Sequence, residues 1–368
     1  MNTPITPHSS PITFREPPSR VLIRGVNWIG DAVMTMPAVQ RLKELWPQAN
    51  VTMHVPTKLV DLWRGNPAVN DIFDSHASLW ASNPPALFDC VVLFPNSFRA
   101  ARELYSGFYY RQILSYAGHW PRRYLLTDIV PETFREPPLQ YSKTPPLQIH
   151  HYLGIVKYLG GNAEPCAPKI YLRNDELEAA RKKFFEDERD STIQPFNNST
   201  FFALCPGAEY GPAKRWLPER FAEVAKRVRV ETGCQWVLVG GPADKPICDE
   251  IAAKIGSQVM NLAGKTTLRE LCCVLAQCKL LLTNDTGPMH LASALGTRVV
   301  AIFGSTDPIA TGPYGAGHTI IRHSVECSPC FLRECPIDFR CMTRIGVEEV
   351  VTAVLKSSSS SNSVILPP

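Results

Sequence analysis

The residues with the most evident chemistry lie in Leu280-Leu281-Leu282-Thr283-Asn284-Asp285-Thr286-Gly287-Pro288-Met289-His290. An apolar run ends in a polar turn, and the turn opens directly into a helical pattern. Leu281 and Leu282 read as a buried strand, Asp285 or Thr286 can serve as N-cap, and Pro288 suits a first helical turn. Leu291, Ala294 and Leu295 supply an apolar side before Gly296 closes the helix. Such a junction turns free backbone N–H groups and the positive end of a helix dipole toward whatever lies beyond the strand. It is a seat for a phosphate, and His290, two residues past Pro288, can hydrogen-bond the same ligand.

Two further loops carry reactive groups. In Arg24-Gly25-Val26-Asn27-Trp28-Ile29-Gly30-Asp31, Gly25 and Gly30 have the spacing of a phosphate-binding P-loop, but Asp31 and Ala32 stand where Lys and Ser or Thr would follow. A carboxylate there repels a phosphate, which argues against an NTPase. Asp31 instead offers a general base, a helix cap, or both, since a carboxylate at a helix N-terminus stays ionised. In Pro206-Gly207-Ala208-Glu209-Tyr210-Gly211-Pro212-Ala213-Lys214-Arg215-Trp216, a Gly/Pro-constrained loop presents Lys214 and Arg215, with Trp216 as anchor. A lysine held above strand ends can neutralise a diphosphate.

These loops need a scaffold, and the chain alternates β-branched runs with helical patterns, the mark of parallel α/β architecture. In the first half Val21–Ile23, Val51–Val55 and Cys90–Phe94 read as strands. Val33, Met36, Val39, Leu42 and Leu45 give one helix its apolar side, and Pro37 implies that this helix begins late or kinks. The second half has strands at Phe202–Cys205, Trp236–Val239, Leu280–Leu282 and Val299–Phe303, each ending in a loop of small residues. Phe221, Val224, Ala225 and Val228 mark a helix stopped by Gly233. In open α/β sheets, ligands bind beyond the carboxyl ends of the strands. The polar stretch 187–200 suggests a boundary, predicting a leader at 1–18, an N-terminal domain at 19–190 and a C-terminal domain at 199–345. A last helix at 346–356 and a Ser-rich tail at 357–368 complete the division, leader and tail both expected to be disordered.

Composition narrows the function. The chain has 368 residues, 45% of them hydrophobic and 20% charged, ordinary for globular domains. A formal charge of +4 is too small for a dedicated nucleic-acid binder but allows a local basic groove. Arg99, Arg102, Arg111, Arg122 and Arg123, near Phe98, Tyr109 and Tyr110, form such a grouping, suited to an acidic acceptor. No apolar run reaches the roughly 18 residues of a membrane span, and Met1–Arg20 lacks the apolar core of a secretory signal. A reducing cytoplasm is therefore expected, with the 12 cysteines mostly as thiols. Cys327-x2-Cys330-x4-Cys335-x5-Cys341 is compact enough for a structural zinc site, although its separations match no common finger. Cys272, Cys273 and Cys278 read as the core of one helix.

The Gly30-Asp31 loop, Cys205–Trp216, Asn261-Leu262-Ala263-Gly264 and Thr283–His290 together resemble the ADP-heptose:lipopolysaccharide heptosyltransferases. Pro95-Asn96-Ser97-Phe98-Arg99 and Arg123–Asp128 are similar to the heptosyltransferase II group within them. The resemblance runs from about Val21 to Val354, in order. It implies a GT-B fold, two Rossmann-like domains with parallel sheets facing across a cleft. The C-terminal domain would hold ADP-heptose and the N-terminal domain the lipopolysaccharide inner-core acceptor. It further implies Asp31 as base in an inverting transfer and Lys214 on the donor diphosphate. Glu209, Asp244, Asp285, Thr286, Gly287 and His290 would bind the donor, and Asn96, Arg99 and Arg123 the acceptor. The enzyme would lie in the cytoplasm, either free or peripheral at the inner face of the membrane. The acidic run Glu186–Asp190 sits in the linker and makes no Asp-x-Asp metal motif, so no catalytic metal is expected. The residues themselves choose neither adenine nor heptose. A transferase using another nucleotide sugar, and a binding protein without turnover, stay open.

Overall fold

The computed structural model describes residues 14–74, 87–107, 109–116, 120–134, 147–186, 200–256 and 259–359. It divides into two compact units, Met1–Tyr171 and Leu172–Pro368. The first contains β1 (Arg20–Arg24), α1 (Ile29–Leu45), β2 (Asn50–Val55), α2 (Val60–Trp63), β3 (Asp71–Asp74) and β4 (Leu87–Leu93). It continues with α3 (Phe98–Gly107), β5 (Tyr109–Tyr116), β6 (Asp128–Val130) and α4 (Ile149–Tyr158). Its strands form one parallel sheet in the order β3-β2-β1-β4-β5-β6. Val21, Leu22 and Ile23 of the central β1 are fully buried, as parallel strands covered on both faces must be. α1 begins at Ile29 and runs through Pro37 rather than starting late.

The second unit opens with α5 (Asn174–Phe185), followed by β7 (Phe201–Cys205), α6 (Pro218–Thr232), β8 (Gln235–Leu238), α7 (Lys245–Ile255) and β9 (Val259–Asn261). Next come α8 (Leu268–Ala276), β10 (Leu280–Asn284), α9 (Gly287–Ala294), β11 (Arg298–Ile302) and α10 (Pro308–Thr311). β12 (Thr319–Ile321), α11 (Arg340–Thr343) and α12 (Val347–Ser359) close it. The sheet order is β12-β11-β10-β7-β8-β9, again all parallel. Both sheets place the first strand of the unit beside its fourth. That reversal of direction is the switch point where α/β sheets leave a crevice for ligands. Here it brings the loop after β7 beside the turn after β10.

Three expectations about boundaries change. The residues 187–199 expected to separate the domains lie outside the described residues, and the division falls earlier, at Tyr171. α5 packs against α8 in the second unit. Arg269 there donates to both carboxylate oxygens of Glu176, at 3.0 and 2.6 Å, and the Phe185 ring meets Phe201 at 4.4 Å. At the C-terminus the serine run is not tail from residue 357. Ser357 and Ser358 are buried in the last turn of α12, and Arg298 donates to the Ser357 carbonyl. Residues 360–368 lie outside the described residues. At the N-terminus residues 1–13 are likewise outside them, but Phe14 sits edge-on to Trp46 and Pro18 is buried, so the chain is already anchored at these two positions. Cys272 and Cys273 lie buried in α8 as expected, whereas the buried Cys278 follows that helix.

Because Arg269 clasps α5 through both carboxylate oxygens of Glu176, Glu176→Ala should lower stability by about 1–3 kcal/mol, the range for removing a partner of a charged hydrogen bond. An earlier urea midpoint would report this, and an unchanged midpoint would show that the clasp contributes nothing.

Candidate active site

The second unit draws its reactive groups from the loops leaving β7, β10 and β11. Asn284, the last residue of β10, is fully buried and holds the first two loops together. Its amide donates to the Pro206 carbonyl at 2.7 Å, and its Oδ1 accepts from the Trp216 backbone at 3.0 Å. Lys214 is thereby brought to Asp285, with Nζ 2.6 Å from Oδ2. The same oxygen accepts from Thr306 Oγ1 at 2.6 Å and Thr311 Oγ1 at 3.2 Å. Asp285 is only 5% exposed, and the Lys214 ammonium also lies 5.1 Å above the Tyr210 ring. Thr286 is the N-cap of α9 in extended conformation, so its backbone turns the chain into the helix while its hydroxyl makes no cap bond. Pro288 falls in the first turn.

His290 lies buried in that first turn, close enough to Asp285 and Lys214 to feel both charges. Burial pushes its pKa down to about 4, the lysine pushing the same way and the carboxylate opposing. Its imidazole is therefore neutral at physiological pH and can donate or accept one hydrogen bond.

Asp244 sits on the turn after β8. Its Oδ2 accepts from the Gly241 backbone at 3.1 Å, and Oδ1 lies 3.6 Å from the Arg215 guanidinium. A Cβ on Gly207 would come within 2.2 Å of this carboxylate, so the close approach of the two loops requires glycine there. Glu209 is exposed on the loop after β7.

In the first unit Asp31 occupies the first turn of α1, whose N-cap is Trp28. It is not the cap itself but lies where the helix dipole favours negative charge. Its charge and, more strongly, burial raise the Tyr152 phenol above its usual range. At the end of β1, Arg24 is buried, bonded to the Gly25 carbonyl, to Asn27 Oδ1 at 3.3 Å and to Glu103 at 3.3 Å. Asn96 follows β4, and its Oδ1 accepts from Arg122 at 2.6 Å. Arg99 is exposed at the start of α3, and the segment carrying Arg123 packs on that helix, so the three expected acceptor residues share one region. The wider arginine grouping does not hold. Arg122 is fully buried, bonded to the Pro95 and Tyr116 carbonyls and Ser115, so it supports the Asn96 loop rather than lining a groove. Arg111 lies near the start of β5, beside Asp89 at the opposite end of the sheet.

Cys327, Cys330 and Cys335 range from exposed to half-buried, and Cys341 is buried. Burial raises the Cys341 thiol, and the other three push it the same way. Among the described residues no three His, Cys, Asp or Glu side chains stand together closely enough to hold a metal ion. What this segment contacts is the lysine loop. The Arg333 carbonyl accepts from the Ala213 backbone at 2.9 Å, and the Tyr210 hydroxyl donates to Phe331 at 2.8 Å. These contacts, like those of Thr306, Thr311 and Asn284, have no sequence signature beyond residence on strand-end loops.

A buried neutral histidine binds no proton between its native pKa and the ordinary value, whereas the unfolded chain does. Stability should therefore fall as pH drops from 6.5 toward 4, with a slope of up to about 1.4 kcal/mol per pH unit for each such histidine. His290 and the fully buried His54, also near 4, both contribute with this sign. The urea midpoint of His290→Gln should vary less with pH than the parent's. An identical dependence would mean that His290 takes up its proton in the folded state.

The family model of glycosyltransferase family 9 (heptosyltransferase) matches residues 149–339, just over half of the chain. Lipopolysaccharide heptosyltransferase 2 of Escherichia coli K12 is 29% identical over 324 residues, covering 82% of this chain and 88% of that protein. Lipooligosaccharide heptosyltransferase 2 of Campylobacter jejuni is 27% identical over 346 residues, covering 92% and 99%. The solved structure of E. coli ADP-heptose lps heptosyltransferase II superposes with a TM-score of 0.72 at 25% identity, over 92% of this chain and 98% of that one. A family 9 glycosyl transferase of Veillonella parvula shares the fold with a TM-score of 0.78 at 20% identity, over 93% and 98%. Two parallel-sheet Rossmann-like units with these neighbours place the fold in the GT-B class. The chain is a glycosyltransferase and belongs to glycosyltransferase family 9, the heptosyltransferases.

Proposed function

We propose that this enzyme transfers heptose from ADP-heptose to the inner-core heptose of lipopolysaccharide, with inversion at the anomeric carbon. The observation that carries the reading is the Lys214 ammonium, held 2.6 Å from a buried Asp285 at the N-terminus of α9. An ammonium has three hydrogens, and Asp285 takes one, leaving two for diphosphate oxygens. The free backbone N–H groups at Thr286 and Gly287 add positive potential on the same side. Together they stabilise charge that grows on ADP as the glycosidic bond breaks. Asp285 acts through Lys214 rather than on the donor itself, because its carboxylate would repel a diphosphate. Neutral His290 supplies a hydrogen bond, and Asp244 one for the nucleoside. Asp31 removes the proton of the attacking hydroxyl, which lets the oxygen bond to the anomeric carbon as ADP leaves. Arg99 and Arg123, with Asn96 set by Arg122, hold the anionic acceptor. Among the described residues no helix is long and apolar enough to cross a membrane.

The reading makes two quantitative demands. Asp31→Asn should reduce turnover by ~10²-fold or more while ADP binding persists, the usual loss for a general base; turnover at the parent level would exclude that role. Lys214→Ala should weaken ADP in calorimetry by ~10-fold or more, as expected when a charged hydrogen bond is lost, and should slow transfer as well. Equal ADP affinity in variant and parent would remove the lysine from the diphosphate. Titrating ADP, GDP and UDP in parallel tests the choice of base.

A further inference from the structure

Three donors converge on one oxygen of Asp285: Lys214 Nζ at 2.6 Å, Thr306 Oγ1 at 2.6 Å and Thr311 Oγ1 at 3.2 Å. The hydroxyls are not equivalent. Thr311 has a single proton and reaches the Asp307 carbonyl at the same 3.2 Å, so its bond to Asp285 is shared. Thr306 is 4% exposed, and its short bond goes to the carboxylate alone. The loop presenting it is braced on both sides. Before it, the Ser305 carbonyl accepts from the Cys330 and Phe331 backbones at 3.1 and 2.8 Å. After it, the buried Asp307 accepts from Ile309 at 3.0 Å and faces Arg322 at 3.6 Å.

A buried carboxylate is costly unless its oxygens are satisfied. When an anionic ligand draws the Lys214 ammonium toward itself, Asp285 loses part of its only close cation among these donors. A fixed hydroxyl that stays behind lowers the cost of that displacement. We propose that Thr306 is a positioning residue for the transfer: its hydroxyl holds the Asp285 carboxylate in place and lets Lys214 share its charge with the donor diphosphate. This rests on the proposed donor role of Lys214.

The test is a double-mutant cycle read by ADP calorimetry, with titrations carried to millimolar nucleotide and folding followed by circular dichroism. Thr306→Val removes the hydroxyl at nearly constant shape and should weaken ADP by ~10-fold, while Thr306→Ser, which keeps it, should stay within about twofold of the parent. In a Lys214→Ala background the valine substitution should change affinity by less than about twofold, because the group through which it acts is gone. Equal losses in both backgrounds, or parent-like affinity for Thr306→Val, would overturn the assignment. So would a serine variant as impaired as valine, since the hydroxyl would then not be the active feature. A parent that prefers another nucleoside diphosphate would instead sink the ADP-heptose reading, and the cycle would be judged with that nucleotide. A parent that binds none would overturn both.

Discussion

A buried anion governs the second unit. Asp285 lies just past the end of the central strand β10, almost out of contact with solvent, where an ionised carboxylate is costly unless donors surround it. That requirement recruits Lys214 from the loop after β7 and Thr306 from the loop after β11, so three strand ends are tied through one oxygen. Asn284 performs the neutral version of the same task one residue earlier, binding the β7 loop through Pro206 and Trp216. The result is a lysine whose position is decided before any ligand arrives. Catalysis by charge stabilisation depends on such preorganisation, because groups that need not reorient incur no further cost at the moment of reaction.

The first unit solves a related problem with cations. Arg24 and Arg122 are both buried, and burial lowers both, Arg122 to about 10, so both remain charged near neutrality. The two terminal nitrogens of Arg122 donate to carbonyl, hydroxyl and amide oxygens, whereas Arg24 also leans on Glu103. His54, close to Arg24, stays neutral, which removes a repulsion with that guanidinium; its 3.5 Å approach to Glu103 is then no ion pair. Rigid arginines thus shape the backbone of the loops that carry Asp31 and Asn96, leaving Arg99 exposed for contact with ligands. A planar guanidinium with five donors suits this bracing better than an ammonium would.

The cysteine-rich segment belongs to the same logic of bracing. Its backbone, rather than its thiols, makes the contacts with Ser305, Ala213 and Tyr210 that flank Thr306 and Lys214. The Tyr210 ring lies 5.1 Å from both the Lys214 ammonium and the Arg333 guanidinium, an arrangement that spreads positive charge along the loop.

Sequence alone determined the elements whose signals are local. Fully apolar runs such as Leu280–Leu282 and Val299–Phe303 became central strands, and Gly233 ended α6 in the left-handed conformation that glycine favours. The Lys214 and Asp285 loops were legible because Gly, Pro and charge coincide there at strand ends. Edge strands such as β3, β6 and β9 were not, since runs of three or four residues are too short to leave a distinctive pattern. Nor could sequence show that α5 joins the second unit, or that Arg122 is buried while Arg99 is exposed, because burial is set by what packs against a residue. The meeting of Lys214 and Thr306 on Asp285 arises only when parallel strands bring residues up to 92 positions apart to the same end of the sheet. Local chemistry named the reactive residues; the order of the strands decided which of them touch.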